Sequence, residues 1–146
     1  MRTKRGFTLI ELLVVIAIIG ILSSIVLASL NTARLKSRDT RRVADVKQLQ
    51  LALALYFDSN AMYPTTLAPL ASLYIAVIPT DPVTRAPYLY SALGSGTTCS
   101  SYHLGATLED GTNQALLGDV DAAAGTPCTG SAADFAGTDP IYDATP

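Results

Sequence analysis

Hydrophobic and polar positions follow one rule up to Leu30 and another beyond it. Leu12 to Leu30 is uncharged and apolar apart from Gly20, Ser23, Ser24 and Ser29. As a helix, rising about 1.5 Å per residue, this run is roughly 28 Å long, against a hydrocarbon core of about 30 Å. Past Asn31 the apolar positions thin to a stripe, Val43, Val46, Leu49, Leu53 and Tyr56, at spacings of three and four. That period is one face of an amphipathic helix able to pack under a folded head. No proline falls between Phe7 and Phe57, so the pattern predicts one helix over residues 7–57, with 7–30 as its apolar span. Asp58-Ser59-Asn60 and then Tyr63-Pro64 supply the stop.

The remainder, 58–146, reads as a small head. Thr66 to Ile78 mixes Leu, Ala, Ser and Tyr around Pro69, which suits a short helix and a loop, and Pro79-Thr80-Asp81-Pro82 is turn-rich. Three segments read as strands: Tyr88-Leu89-Tyr90, Ser101 to Leu108, and Gln114-Ala115-Leu116-Leu117, separated by Gly, Ser and Asp turns. A three- or four-stranded antiparallel sheet laid on the distal half of the helix buries both apolar surfaces, giving an α+β fold. The tail from Asp121 to Pro146 is rich in Ala, Gly, Thr, Pro and Asp, and its large apolar anchors are Phe135, Ile141 and Tyr142. It reads as irregular and surface-lying.

Charge divides the chain more sharply than its net value of −2 conveys. Arg34, Lys36, Arg38, Arg41 and Arg42 follow the apolar run, whereas after Lys47 the only basic residue is Arg85. An acidic head is a poor general binder of nucleic acid, since phosphate contacts need Lys and Arg, so DNA binding is not indicated. The basic cluster has two readings: a solvated collar near lipid headgroups, or a set of partners for acids on neighbouring subunits, with Asp39 and Asp45 giving local compensation.

One acid stands at the mouth of the apolar run. In Arg5-Gly6-Phe7-Thr8-Leu9-Ile10-Glu11 a basic leader, a small residue and a lone carboxylate precede it. An ionised side chain inside a membrane helix costs about 2.5–3.5 kcal/mol on insertion scales, so Glu11 needs a compensating charge. This segment, continued by Leu12-Leu13-Val14-Val15-Ile16-Ala17-Ile18-Ile19-Gly20-Ile21-Leu22, resembles the N-terminus of type IV prepilins and of the pseudopilins of type II secretion. Many members of that family carry a helix-bending Pro where this chain has Ala28, and Ala favours an unbroken helix.

The resemblance implies a leader, residues 1–6, cut by prepilin peptidase between Gly6 and Phe7, with the new Phe7 amine then methylated. That amine lies four residues before Glu11, one helical turn away, and pairs with it within one subunit or between neighbours. Phe7, Thr8 and Glu11 are thus assembly residues. The plainer alternative is that Glu11 only caps its own helix through the helix dipole. A count of flanking positive charge orients the span the other way, but the resemblance implies a cytoplasmic leader and an extracytoplasmic head. A secretory signal peptide would end at a small-residue cleavage site, whereas this apolar run continues into a charged helix.

The head carries a weaker resemblance. Tyr63-Pro64-Thr65, Pro79-Thr80-Asp81-Pro82 and Pro87-Tyr88-Leu89-Tyr90 look like the loop before the sheet in major pseudopilins, with Val83 and Thr84 in place of its Trp-Gly. The reading taken from the sequence is therefore a structural subunit of a type IV pilus-like extracellular filament. The alternatives are a major pseudopilin of a type II secretion system, with a periplasmic filament, and a membrane-anchored binding module that does not polymerise. The implied partners are further copies of the chain in a helical homopolymer, prepilin peptidase, an inner-membrane assembly platform with its ATPase, and the membrane before assembly.

Cys99 and Cys128 are the only cysteines, and both fall in the region placed outside the cytoplasm. There a disulfide is the expected state, with two unpaired thiols as the alternative. Closing a loop of about 30 residues is worth about 3.6 kcal/mol in the chain-entropy model. Asp119, Asp121, Asp134, Asp139 and Asp143 gather toward the C-terminus among Gly and Thr, and calcium takes such oxygen ligands on loops. The resemblance implies calcium in the same region, with Asp119 and Asp121 as first candidates. No cofactor is otherwise required. His103 is the only histidine and sits in an expected strand, which suits a structural role better than a catalytic or zinc-binding one. No phosphate loop, nucleophile elbow or convincing pair of catalytic carboxylates is present, so the chain reads as a structural protein and not an enzyme.

Overall fold

A computed structural model describes residues 7–146. The leader residues up to Gly6 lie outside the described residues, and with them the Gly6 side of the expected cleavage point. Helix α1 runs Leu9–Asn60, three residues past the expected end at Phe57. Ser59 and Asn60 prolong it by donating side-chain hydrogen bonds to the carbonyls of Leu55 and Tyr56, at 3.1 and 2.9 Å. It stops where Ala61 turns to the left-handed region at φ 55°, ahead of Tyr63-Pro64.

The chain forms two compact units, Met1–Lys36 and Ser37–Pro146, so the division falls inside α1 and not at its end. In the first unit every described residue from 7 to 34 is exposed, including Leu9, Ile10, Ile16, Ile21 and Leu27. This part of α1 is long and apolar enough to cross a membrane. Nothing among the described residues covers its apolar surface.

In the second unit the distal part of α1 lies against a three-stranded antiparallel sheet in the order β1 (Leu89–Ser95), β2 (Thr98–Thr107), β3 (Ile141–Ala144). The expected stripe forms the helix side of the core: Val46, Leu49 and Leu53 are fully buried, and Tyr56 packs at its margin. Ala92, Tyr102, Leu104 and Ala106 answer from the sheet, and Leu70 and Ile75 from the connection. Side chains alternate across a strand, so Tyr102, Leu104 and Ala106 share the helix-facing side of β2, and His103 and Gly105 point the other way.

That other face is also covered, which is why β2 is buried continuously from Tyr102 to Ala106. The cover is the tail, expected to be irregular and surface-lying. It is largely irregular, but it is bound down: Cys128 N–H donates to the Ala92 carbonyl at 3.0 Å, and Ser91 Oγ donates to the Ala132 carbonyl at 2.9 Å. Its last stretch becomes β3, pairing Leu104 with Ala144 and Gly105 with Asp143. The third expected strand was misplaced accordingly. Gln114–Gly118 is a 3-10 helix, opened by Asn113, whose side chain accepts from Ala115 N–H at 3.0 Å. The Asn cap and the helix-favouring Gln-Ala-Leu-Leu run outweigh the apolar content that suggested a strand.

Candidate functional site

At the start of α1, Thr8 and Glu11 form a reciprocal cap. Thr8 N–H and Thr8 Oγ donate to Glu11 Oε2 at 2.8 and 2.7 Å, and Glu11 N–H returns a longer bond to Thr8 Oγ at 3.3 Å. This is the Thr-x-x-Glu capping box, which satisfies N–H groups that a helix start leaves open. Glu11 therefore does cap its own helix, through side-chain bonds as well as the dipole. Its Oε1 makes no hydrogen bond among the described residues, so the cap leaves acceptor capacity for a second partner.

In the second unit an ion network ties α1 to the loops around the sheet. Asp39 is fully buried; it accepts from Glu109 N–H and Asp110 N–H, each at 2.9 Å, and from Arg42 Nη1 at 2.7 Å. Arg42 also reaches Asp81 at 2.6 Å and Glu109 at 2.7 Å, and Arg38 pairs with Glu109 in a two-pronged bond. Hydrogen bonds from Arg38 and then Arg42 draw the Glu109 carboxyl down to about 2, against a smaller effect of burial. Arg42 holds the Asp81 carboxyl far below its ordinary value, with the N–H groups of Thr84 and Val83 assisting. Burial opposes the charge of Arg42, yet its three carboxylates leave it held more tightly protonated than usual. The local compensation expected from Asp39 is present at Arg42, and Arg38 and Arg42 both pair with distant carboxylates of their own chain.

Cys99 and Cys128 form a disulfide with Cα atoms 5.6 Å apart, fastening the tail to the start of β2. Beyond it, three carboxylates converge: Asp119, Asp121 and Asp139 bring oxygens within 4.8 Å of one another. The two first candidates from sequence are here, joined by Asp139, another of the five aspartates gathered toward the C-terminus. Asp119 Oδ1 is buried with no hydrogen-bond partner among the described residues. Burial pushes the Asp119 carboxyl above its ordinary value, and the charges of Asp143 and Asp121 add to that against the backbone bonds. An orphaned buried oxygen among three carboxylates is the chemistry that a hard cation satisfies.

Asp134 and Asp143, the other acids of the tail, do not join this cluster but flank His103, at 2.7 Å from Nδ1 and 2.6 Å from Nε2. His103 is fully buried and stacked on Phe135 at 3.9 Å between ring centroids. A lone histidine in a strand gave no hint of two carboxylates 31 and 40 residues away.

Comparison with known proteins agrees with the N-terminal motif and extends it. The family described as the prokaryotic N-terminal methylation motif matches residues 1–27. The type II secretion system core protein G of Vibrio cholerae is 34% identical over 127 residues, covering 76% of this chain and 86% of the relative. That of Pseudomonas aeruginosa is 32% identical over 139 residues, covering 82% and 97%, and that of Escherichia coli is 44% identical over 85 residues, covering 58% and 57%. No solved structure matches the chain. With relatives above 30% identity matched over most of their length, and the helix-plus-sheet fold in agreement, this chain belongs to the type II secretion system core protein G family, which backs the pseudopilin alternative better than the pilus reading preferred from sequence.

Proposed function

We propose that this protein is the repeating subunit of a periplasmic pseudopilus, made as a precursor anchored in the cytoplasmic membrane by α1. One observation carries the reading: a membrane-length apolar helix exposed at every described position from 7 to 34, whose surface must be covered by lipid or by other copies of itself. Prepilin peptidase cleaves after Gly6 and the Phe7 amine is methylated. The homopolymer then grows as an assembly platform and its ATPase draw subunits out of the bilayer, so that helices once bathed in lipid pack against one another.

The capping box supports a role for Glu11 in that step. Thr8 holds the carboxylate at the helix start while Oε1 stays available, and a neighbour's Phe7 amine neutralises it as the helix enters the shared core. Pairing removes the cost of carrying an isolated charge into an apolar surround. The test is in vivo assembly of Glu11→Ala, Glu11→Gln and wild-type chains in a secreting host. Normal membrane levels with loss of filaments in both variants support the reading; filaments at wild-type yield from Glu11→Ala overturn it.

The head holds calcium through Asp119, Asp121 and Asp139. The orphaned Asp119 Oδ1 supports this, and the ion would supply charge neutralisation that ties the two limbs of the tail together. Calcium titration of the full-length chain in detergent, followed by thermal unfolding, tests it. A calcium-dependent rise in melting temperature that Asp119→Asn abolishes is expected, and no response in the wild type would overturn it.

A further inference from the structure

His103 and Asp143 lie outside the carboxylate cluster, yet Asp143 touches both limbs that carry it. Asp134 sits at one ring nitrogen of His103 at 2.7 Å and Asp143 at the other at 2.6 Å, so the ring bridges the two carboxyl groups. Asp143 is 2% exposed, and beyond His103 it has further partners. Its Oδ1 accepts from Val120 N–H at 2.8 Å, and its own N–H points at Asp119 Oδ2 at 3.4 Å. Val120 sits between Asp119 and Asp121, so this carboxylate holds the limb that supplies two of the three cluster oxygens.

The other limb is held by shape. A side chain added at Gly137 would overlap the Asp143 carboxyl group, so the backbone two residues before Asp139 rests directly on it. On the strand below, a Cβ at Gly105 would meet the Phe135 ring at 2.9 Å, and that open space lets Phe135 lie flat on His103 at an interplanar angle of 12°. Asp143 is thus wedged between the 119–121 and 137–139 limbs, and its orientation is fixed by a ring that Phe135 holds flat.

We propose that His103 is the positioning residue of the calcium site: its ring orients Asp143, and Asp143 sets the spacing of the two limbs that carry Asp119, Asp121 and Asp139. This rests on the calcium reading above. Groups that orient a metal site from outside the ligand set commonly account for 10- to 100-fold in affinity, and His103→Asn, which cannot bridge both carboxyl groups, should lose at least 10-fold.

The experiment is calcium titration by calorimetry of the full-length chain in detergent, for wild type, His103→Asn, Asp134→Asn and Leu53→Ala. Leu53→Ala loosens the helix side of the core and touches neither limb, so it reports general destabilisation. Weaker calcium binding in His103→Asn, with a smaller loss in Asp134→Asn and unchanged affinity in Leu53→Ala, is the expected result. Equal affinity in His103→Asn and wild type overturns the positioning role while leaving the calcium site standing, and no binding by the wild type overturns both. Should His103→Asn fail to fold, Asp134→Asn decides: weaker calcium binding than wild type is expected, and wild-type affinity overturns the positioning role.

Discussion

Arg42 lies one turn beyond Asp39 on α1, and its Nη1 sits 2.7 Å from Asp39 Oδ1 with the two side chains 4% and 0% exposed. A pair this dry is anchored by its surroundings: Asp39 takes two backbone N–H groups from Glu109 and Asp110, and Arg42 also donates from Nε to Asp81 and from Nη1 to Glu109. The network ties residues 38–42 of α1 to the loops around the sheet.

Removing one partner from such a pair leaves the other charge buried and alone. Arg42→Ala should cost about 3–5 kcal/mol of head stability, whereas Arg34→Ala, at an exposed position, should change it by less than about 0.5 kcal/mol. Urea unfolding followed by tyrosine fluorescence measures both. Equal effects would show that the network contributes no more than a surface charge.

The same network sets an acid limit. Glu109 is drawn from 4.5 down to about 2 in the folded chain, chiefly by Arg38 and then Arg42, and Asp81 is lowered as well, chiefly by Arg42. A carboxylate with a depressed folded pKa adds stability above its unfolded value, and that stability is lost as the pH falls through the folded value. The melting temperature should therefore hold down to about pH 4.5 and fall progressively toward pH 2. In Arg42→Ala the part of this fall due to Asp81 and Glu109 should shrink, which a pH series of melting curves will show.

Reduction of the Cys99–Cys128 disulfide frees a loop of about 30 residues and should lower stability by about 3.6 kcal/mol on the entropic account. Because that bond fastens the tail over the second face of the sheet, reduction should also weaken calcium binding. Melting curves with and without reductant, at fixed calcium, check both effects. Unchanged values would mean that the tail is held by its other contacts alone.

Calcium at 100 times its dissociation constant should stabilise the head by about 2.7 kcal/mol. Asp139→Asn should reduce this as strongly as Asp121→Asn if the third carboxylate is a ligand. Thermal shift assays on the three chains give the comparison, and an unaffected Asp139→Asn would restrict the site to the 119–121 limb.

Sequence made some of this legible and not the rest, for definite reasons. The stripe Val46, Leu49 and Leu53 obeys a local period, and the capping pair Thr8 and Glu11 sits at a fixed spacing of three, so both are visible in a short window. Asp39 has one local partner, Arg42, but its backbone partners are 70 and 71 residues away, and no local pattern announces them; the basic cluster consequently read as a collar or a set of inter-subunit partners. Gln114–Gly118 misled because a few apolar residues do not separate a strand from a short helical turn. Strand β3 was missed because Ile141-Tyr142 stood in a segment dominated by Ala, Gly, Thr, Pro and Asp, although its anchors Phe135, Ile141 and Tyr142 were the residues singled out. His103 between Asp134 and Asp143 is a tertiary arrangement throughout.

The central claim is that processed chains polymerise through their exposed apolar helices. The most direct test is electron microscopy of filaments from a host carrying the secretion machinery, joined to N-terminal mass spectrometry of the same material. Helical filaments built from this chain, each subunit beginning at a methylated Phe7, are the predicted result. Only membrane-bound monomers that retain Met1 or Arg2 would contradict it.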